Sequence, residues 1–150
     1  MDRDDARPFL LDLDPAFEKL YRKLLAIGFG VLDAQRSDSF GDRYVDITDG
    51  HLAIRFVSDR GLWNIDVAPT PRPRRRDWKM LQLWAELLGW DVVRANALTP
   101  VRDQSAFLRD HLEAIRAAVQ RDEKASTTRG LEALASTRAE RTEAAADTTR

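Results

Sequence analysis

The stretch Arg43-Tyr44-Val45-Asp46-Ile47-Thr48-Asp49-Gly50-His51-Leu52-Ala53-Ile54-Arg55-Phe56-Val57-Ser58-Asp59-Arg60-Gly61-Leu62-Trp63-Asn64-Ile65-Asp66-Val67-Ala68 decides the fold. Apolar and polar residues alternate through three runs, which is the period of a half-buried strand. Asp49-Gly50 and Asp59-Arg60-Gly61 separate the runs, so they return antiparallel. A two-residue type I′ turn at Asp49-Gly50 sets Ile47 opposite Leu52 and Val45 opposite Ile54. In the second hairpin, pairing Phe56 with Trp63 also pairs Ile54 with Ile65 and Leu52 with Val67. All eight side chains then share one face, and a one-residue slip would scatter them.

The other face is polar in this register. Tyr44, Arg55 and Asn64 form one row; Asp46, Ala53 and Asp66 form the next, with Thr48 and His51 beyond. Such a face is either solvated or a docking surface, and Tyr and Arg are favoured anchors of the latter. Asp46 and Asp66 flank Ala53 across two strand spacings, roughly 9–10 Å. Carboxylates about 6.5–9.5 Å apart can hold a water for an inverting hydrolase, so a hydrolase on this face is a further reading.

Upstream, Phe29 to Arg36 reads as a weakly alternating first strand, joined by the polar loop Ser37 to Asp42. Before it, Asp14-Pro15 opens a helix with an N-cap acid and a proline at the first turn. Phe17, Leu20, Tyr21, Leu24 and Leu25 make its apolar stripe, and Gly28 stops it. Downstream, Ala68 to Pro73 carries three prolines and predicts an extended linker. Asp77 is then placed to cap a helix from Trp78 to Leu88, closed by Gly89, with Trp78 and Trp84 as packing residues. Trp90 to Leu98 reads as a short extended piece, with Trp90 exposed. A last domain helix is expected from about Asp103 to Asp122, with Leu108, Leu112, Ile115 and Val119 on its inner side. The architecture is α+β: an N-terminal helix, a four-stranded antiparallel meander, and two helices packed on one sheet face. Residues 1–123 form the domain. Residues 124–150, rich in Ala, Thr, Glu and Arg, read as a polar tail, disordered or loosely helical.

Composition narrows the chemistry. Without cysteine there are no disulfides, thiolate metal sites or thiol nucleophiles. His51 and His111 stand alone, and no phosphate-loop, nucleophile-elbow or zinc-protease motif occurs, so no metal or cofactor is expected. The start Met1-Asp2-Arg3-Asp4-Asp5 lacks the basic and apolar regions of a signal peptide, and no apolar run reaches bilayer length, which points to the cytoplasm and away from membranes. The net charge of −1 favours neither a polyanion nor a polycation partner overall. Charge is nevertheless uneven. Asp2, Asp4, Asp5, Asp12 and Asp14 make the start acidic, while Arg72, Arg74, Arg75 and Arg76 cluster on the linker. Arginines on extended backbone can reach successive phosphates, so a nucleic-acid-associated accessory role through these four is the alternative to protein binding.

Phe40-Gly41-Asp42-Arg43-Tyr44 and Ser58-Asp59-Arg60-Gly61-Leu62-Trp63-Asn64-Ile65-Asp66-Val67, set between a leading helix and Trp-rich helices, resemble small actinobacterial proteins, some of which are grouped with the immunity proteins of polymorphic toxin systems. That resemblance implies a non-enzymatic protein that neutralises a cognate toxin by binding it. The expected function is therefore a cytoplasmic protein-binding module, with Tyr44, Asp46, Arg55, Asn64 and Asp66 as the partner-binding residues and no catalytic ones.

Overall fold

A computed structural model describes residues 13–36, 42–120 and 124–148, the last segment with its side chains from 127 to 141. Helix α1 (Pro15–Ala26) begins as its sequence dictates, with Asp14 Oδ1 accepting the Ala16 amide at 2.9 Å. Its stripe of Phe17, Leu20, Tyr21 and Leu24 is buried. Strands β1 (Gly30–Arg36), β2 (Arg43–Thr48), β3 (Ala53–Asp59) and β4 (Leu62–Ala68) follow as an antiparallel meander. A fifth strand, β5 (Lys79–Met80), then pairs with β4 at Asp66 and Val67. The sheet is therefore five-stranded in the order β1-β2-β3-β4-β5, one strand more than the alternation predicts. Two residues carry no periodicity, so β5 leaves no trace in a pattern.

The register differs from expectation by two residues in both hairpins. Ile47 faces Ile54 and Val45 faces Phe56; Phe56 faces Ile65 and Ile54 faces Val67. Two residues is one full strand period, so the apolar face survives the shift intact. At the first turn, Asp49 Oδ1 accepts the amides of His51 and Leu52 at 2.8 and 3.1 Å, which opens a four-residue loop in place of a two-residue one. Arg116 holds the other Asp49 oxygen at 2.9 Å. The tight turn lies instead at Arg60-Gly61, between the paired Asp59 and Leu62. Both residues have positive φ, 52° and 81°, the type I′ combination. In β1 the ladder to β2 is irregular between Val31 and Asp33. The extra residue lets Val31 and Ala34 both pack on the core while Asp33 and Gln35 turn to the polar face, which explains the weak alternation of this strand.

Past β4, the prolines do keep the chain out of regular structure until a 3₁₀ turn at Arg75–Asp77, where Asp77 accepts the Arg74 amide at 2.7 Å. The helix expected from Trp78 is shorter: α2 spans Leu81–Leu87, because Trp78 to Met80 are drawn into extended backbone beside β4. Trp84, fully buried, donates its indole N–H to the Val67 carbonyl at 3.1 Å. The segment after Gly89 is helical, not extended: α3 (Val92–Asn96) starts where Asp91 Oδ1 accepts the Arg94 amide at 2.7 Å. Trp90 is half-buried, 4.8 Å from Phe107 and with Arg94 over its ring. Helix α4 (Val101–Gln120) buries Phe107, Leu108, Leu112, Ile115 and Val119. Together α1, α2 and α4 bury the apolar sheet face in one core.

Residues 124–148 form helix α5, and its first part is not detached. Leu131 is fully buried, Thr127 Oγ1 donates to the Ala118 carbonyl at 2.9 Å, and Arg138 and Arg141 meet Glu86 of α2 at 3.2 and 3.3 Å. Leu131, Leu134, Arg138 and Arg141 fall on one helical stripe, a seam that composition alone hides. The expected domain boundary at residue 123, the acidic residues Asp2, Asp4, Asp5 and Asp12, and Phe40-Gly41 lie outside the described residues.

The fold also depends on Gln104, which has no exposure. β5 covers only one end of β4, and Gln104 closes the other. Its Oε1 accepts the Ile65 amide at 2.9 Å and its Nε2 donates to the Thr99 carbonyl at 2.8 Å. The side-chain amide thus substitutes for a missing strand. Replacing Gln104 by Ala leaves the Ile65 N–H buried and unpaired, an expected loss of about 1–3 kcal/mol. Urea unfolding should show a lower midpoint at unchanged slope.

Candidate functional site on the polar sheet face

The register brings one row of charged side chains straight across the sheet. Asp33 on β1 faces Asp46 on β2, Asp46 faces Arg55 on β3, Arg55 faces Asp66 on β4, and Asp66 faces Met80 on β5. This corrects the rows expected from sequence. Arg55, not Ala53, stands between Asp46 and Asp66; Ala53 pairs with Thr48 and Ala68 one row away. Tyr44 and Asn64 flank Val57 in the neighbouring row. His51 is exposed in the β2–β3 loop and belongs to neither row.

Arg55 is the centre of the arrangement. Its Nε and one terminal nitrogen donate to the two oxygens of Asp46 at 2.8 and 2.9 Å, a bidentate pair. Its guanidinium carbon lies 3.9 Å from the centroid of the Tyr44 ring and 4.5 Å from that of Trp78. Tyr44 is fixed in turn, its hydroxyl donating to Asp33 Oδ2 at 2.9 Å. Trp78 reaches the site because the proline-bearing segment carries the chain back over this face before β5. The face is therefore partly roofed, and the Asp46 side chain is only 5% exposed.

Electrostatics follow from that roof. Burial pushes the Asp46 carboxyl above its usual range, although the hydrogen bond and charge of Arg55 pull it back. Burial also works against the Arg55 cation, but the Asp46 hydrogen bond and charge outweigh it and hold the guanidinium above its ordinary value. Tyr44 is pushed up to about 12 by burial, by its hydrogen bond to Asp33 and by that carboxylate's charge, so it stays a neutral donor. Asp66 is raised to about 6, chiefly by burial; the attraction of Arg55 offsets only part of this, and Asp46 adds repulsion. One guanidinium serves two carboxylates, and Asp46 holds it. The Asp66 carboxylate makes no hydrogen bond or ion pair among the described residues.

Asp66 lines a cleft of about 510 Å³ whose other walls are Trp78, Lys79, Met80, Leu83 and, from α5, Ala135, Arg138 and Ala139. Sequence reasoning missed this cleft. Spacing alone puts Trp78 inside a helix, and composition alone puts the α5 residues in a polar tail. The signal available was the helical stripe ending in Arg138 and Arg141. The four linker arginines, Arg72, Arg74, Arg75 and Arg76, are all exposed. Among the described residues, no group of three or more His, Asp and Glu side chains is placed to hold a metal ion, and no helix is long and apolar enough to cross a membrane. No protein-family model matches the chain, and neither a curated protein nor a solved structure matches it significantly.

Proposed function

We propose that the chain is a non-enzymatic, cytoplasmic protein-binding module that docks its partner on the polar sheet face through Tyr44, Asp46, Arg55, Asn64 and Asp66. The observation that supports it is the pre-ordering of Arg55, bidentate on Asp46 and set against the Tyr44 and Trp78 rings, on a half-exposed surface. Aromatic and arginine side chains locked before binding lose little entropy on association and make strong anchors. The resemblance to toxin-system immunity proteins specifies the partner as a cognate toxin. A hydrolase at Asp46 and Asp66 draws no support from the register, because the space between those carboxylates is taken by Arg55.

The test is affinity capture from nuclease-treated host extract with the native chain and with the double variant Tyr44→Ala, Met80→Asp. Met80, 43% exposed, lies on the same face opposite Asp66. A stoichiometric protein held by the native chain and lost with the folded variant supports the reading; retention by the variant removes the docking surface. The second reading, a nucleic-acid accessory role, is favoured by the exposure of Arg72, Arg74, Arg75 and Arg76. It requires duplex binding that falls steeply with salt and disappears when those arginines become Gln.

A further inference from the structure

The carboxylates of the charged row differ in what they accept. Asp33 is satisfied by neutral groups: its Oδ1 accepts the Ala34 amide and its Oδ2 the Tyr44 hydroxyl, both at 2.9 Å. Asp46 takes both nitrogens that Arg55 offers. The Asp66 carboxylate accepts nothing among the described residues, and neither of its oxygens is sealed from solvent. Arg55, its neighbour across the ladder, is turned to Asp46, and Arg138 on the far wall of the cleft is turned to Glu86. Along the row Asp33, Asp46 and Asp66 stand against Arg55, so these residues carry an excess of negative charge.

Asp66 lies in the wall of the cleft of about 510 Å³, where Trp78, Met80 and Leu83 are its apolar neighbours and Met80 is 43% exposed. Lysine and arginine cover apolar surface with their stems while the charged head finds a polar group. An acidic side chain seated in the cleft would meet Asp66 at like charge. An apolar one would strip the carboxylate of water without supplying a hydrogen bond. We propose that the partner docking on the sheet face inserts a basic side chain, lysine or arginine, into this cleft, its stem against Trp78, Met80 and Leu83 and its charged nitrogen on Asp66. This rests on the docking reading of the face and adds the chemistry that the partner must present. A charge-assisted bond to a half-buried carboxylate sets the register of the two surfaces as well as their affinity.

The experiment selects from a display library of short random peptides on the immobilised full chain, and repeats the selection on Asp66→Asn, an isosteric change expected to keep the fold. Peptides enriched on the native chain should carry Lys or Arg beside an apolar residue. Added to the ¹⁵N-labelled chain, they should shift the amides of Asp66 to Ala68 and Trp78 to Leu83. Replacing the basic residue by norleucine, or Asp66 by Asn, should each weaken binding by about tenfold or more. Enrichment of peptides without a basic residue, shifts confined to other parts of the chain, equal affinity for Asp66→Asn, or no enrichment at all overturns the proposal. Capture from host extract separates its failure from that of the docking reading. A partner lost with Tyr44→Ala, Met80→Asp yet held undiminished by Asp66→Asn removes the basic contact alone. A partner held by both variants removes the docking surface as well.

Discussion

Replacing Arg55 by Met is expected to destabilise the protein by about 3–5 kcal/mol, the cost of leaving a buried carboxylate without its partner. Asp46 receives two hydrogen bonds from Arg55 and is only 5% exposed, so water cannot replace what is lost. The ring contacts with Tyr44 and Trp78 go as well. The double variant Arg55→Met, Asp46→Leu should recover most of the loss, because an apolar pair of similar volume removes the desolvation penalty along with the attraction. Chemical denaturation of the two variants separates this from an exposed ion pair, for which the single change would cost under about 1 kcal/mol. The single variant should also suffer less in mild acid, where the orphaned Asp46 can take up a proton.

Asp66→Asn is expected to act in the opposite direction and to stabilise the protein at pH 7.5 by roughly 2–3 kcal/mol. The sign follows from where the proton sits. Asp66 binds its proton up to about pH 6 in the folded state, against an ordinary value of 3.8. Between those values the native state holds a proton that the unfolded state releases, so native stability falls as the pH rises from about 4 to about 6 and stays lowered above. Asparagine has no charge to desolvate, so its advantage is full above pH 6 and vanishes toward pH 4. Thermal melts of both proteins at several pH values check this; an advantage independent of pH would show that burial of the charge is not its source. A carboxylate that costs stability where an amide would not is the pattern of a residue kept for binding.

The sequence by itself determined every element whose side chains repeat with a period. The α1 stripe from Phe17 to Leu24 and its Asp14 cap, the alternation from Val45 to Val67 and the inner side of α4 are local patterns that bury one way only. It also determined which face of the sheet would be polar, because a register error of two residues leaves sidedness unchanged. Which polar residues stand side by side was decided by tertiary structure. Asp49 turned its carboxylate on the amides of His51 and Leu52, and was held there by Arg116 from α4. The longer loop moved Arg55 between Asp46 and Asp66. The short strand β5 exists because the edge of β4 accepts it, and Gln104 completes that edge from 39 residues away in sequence. The α5 helix, polar along most of its length, is held through Leu131 and through the Glu86 pairing that only packing supplies. Periodicity reports how a segment meets a core, since apolar burial is non-directional and acts on whole faces. Hydrogen bonds and charge pairs need particular partners at particular distances, and those partners come together only when the chain has folded.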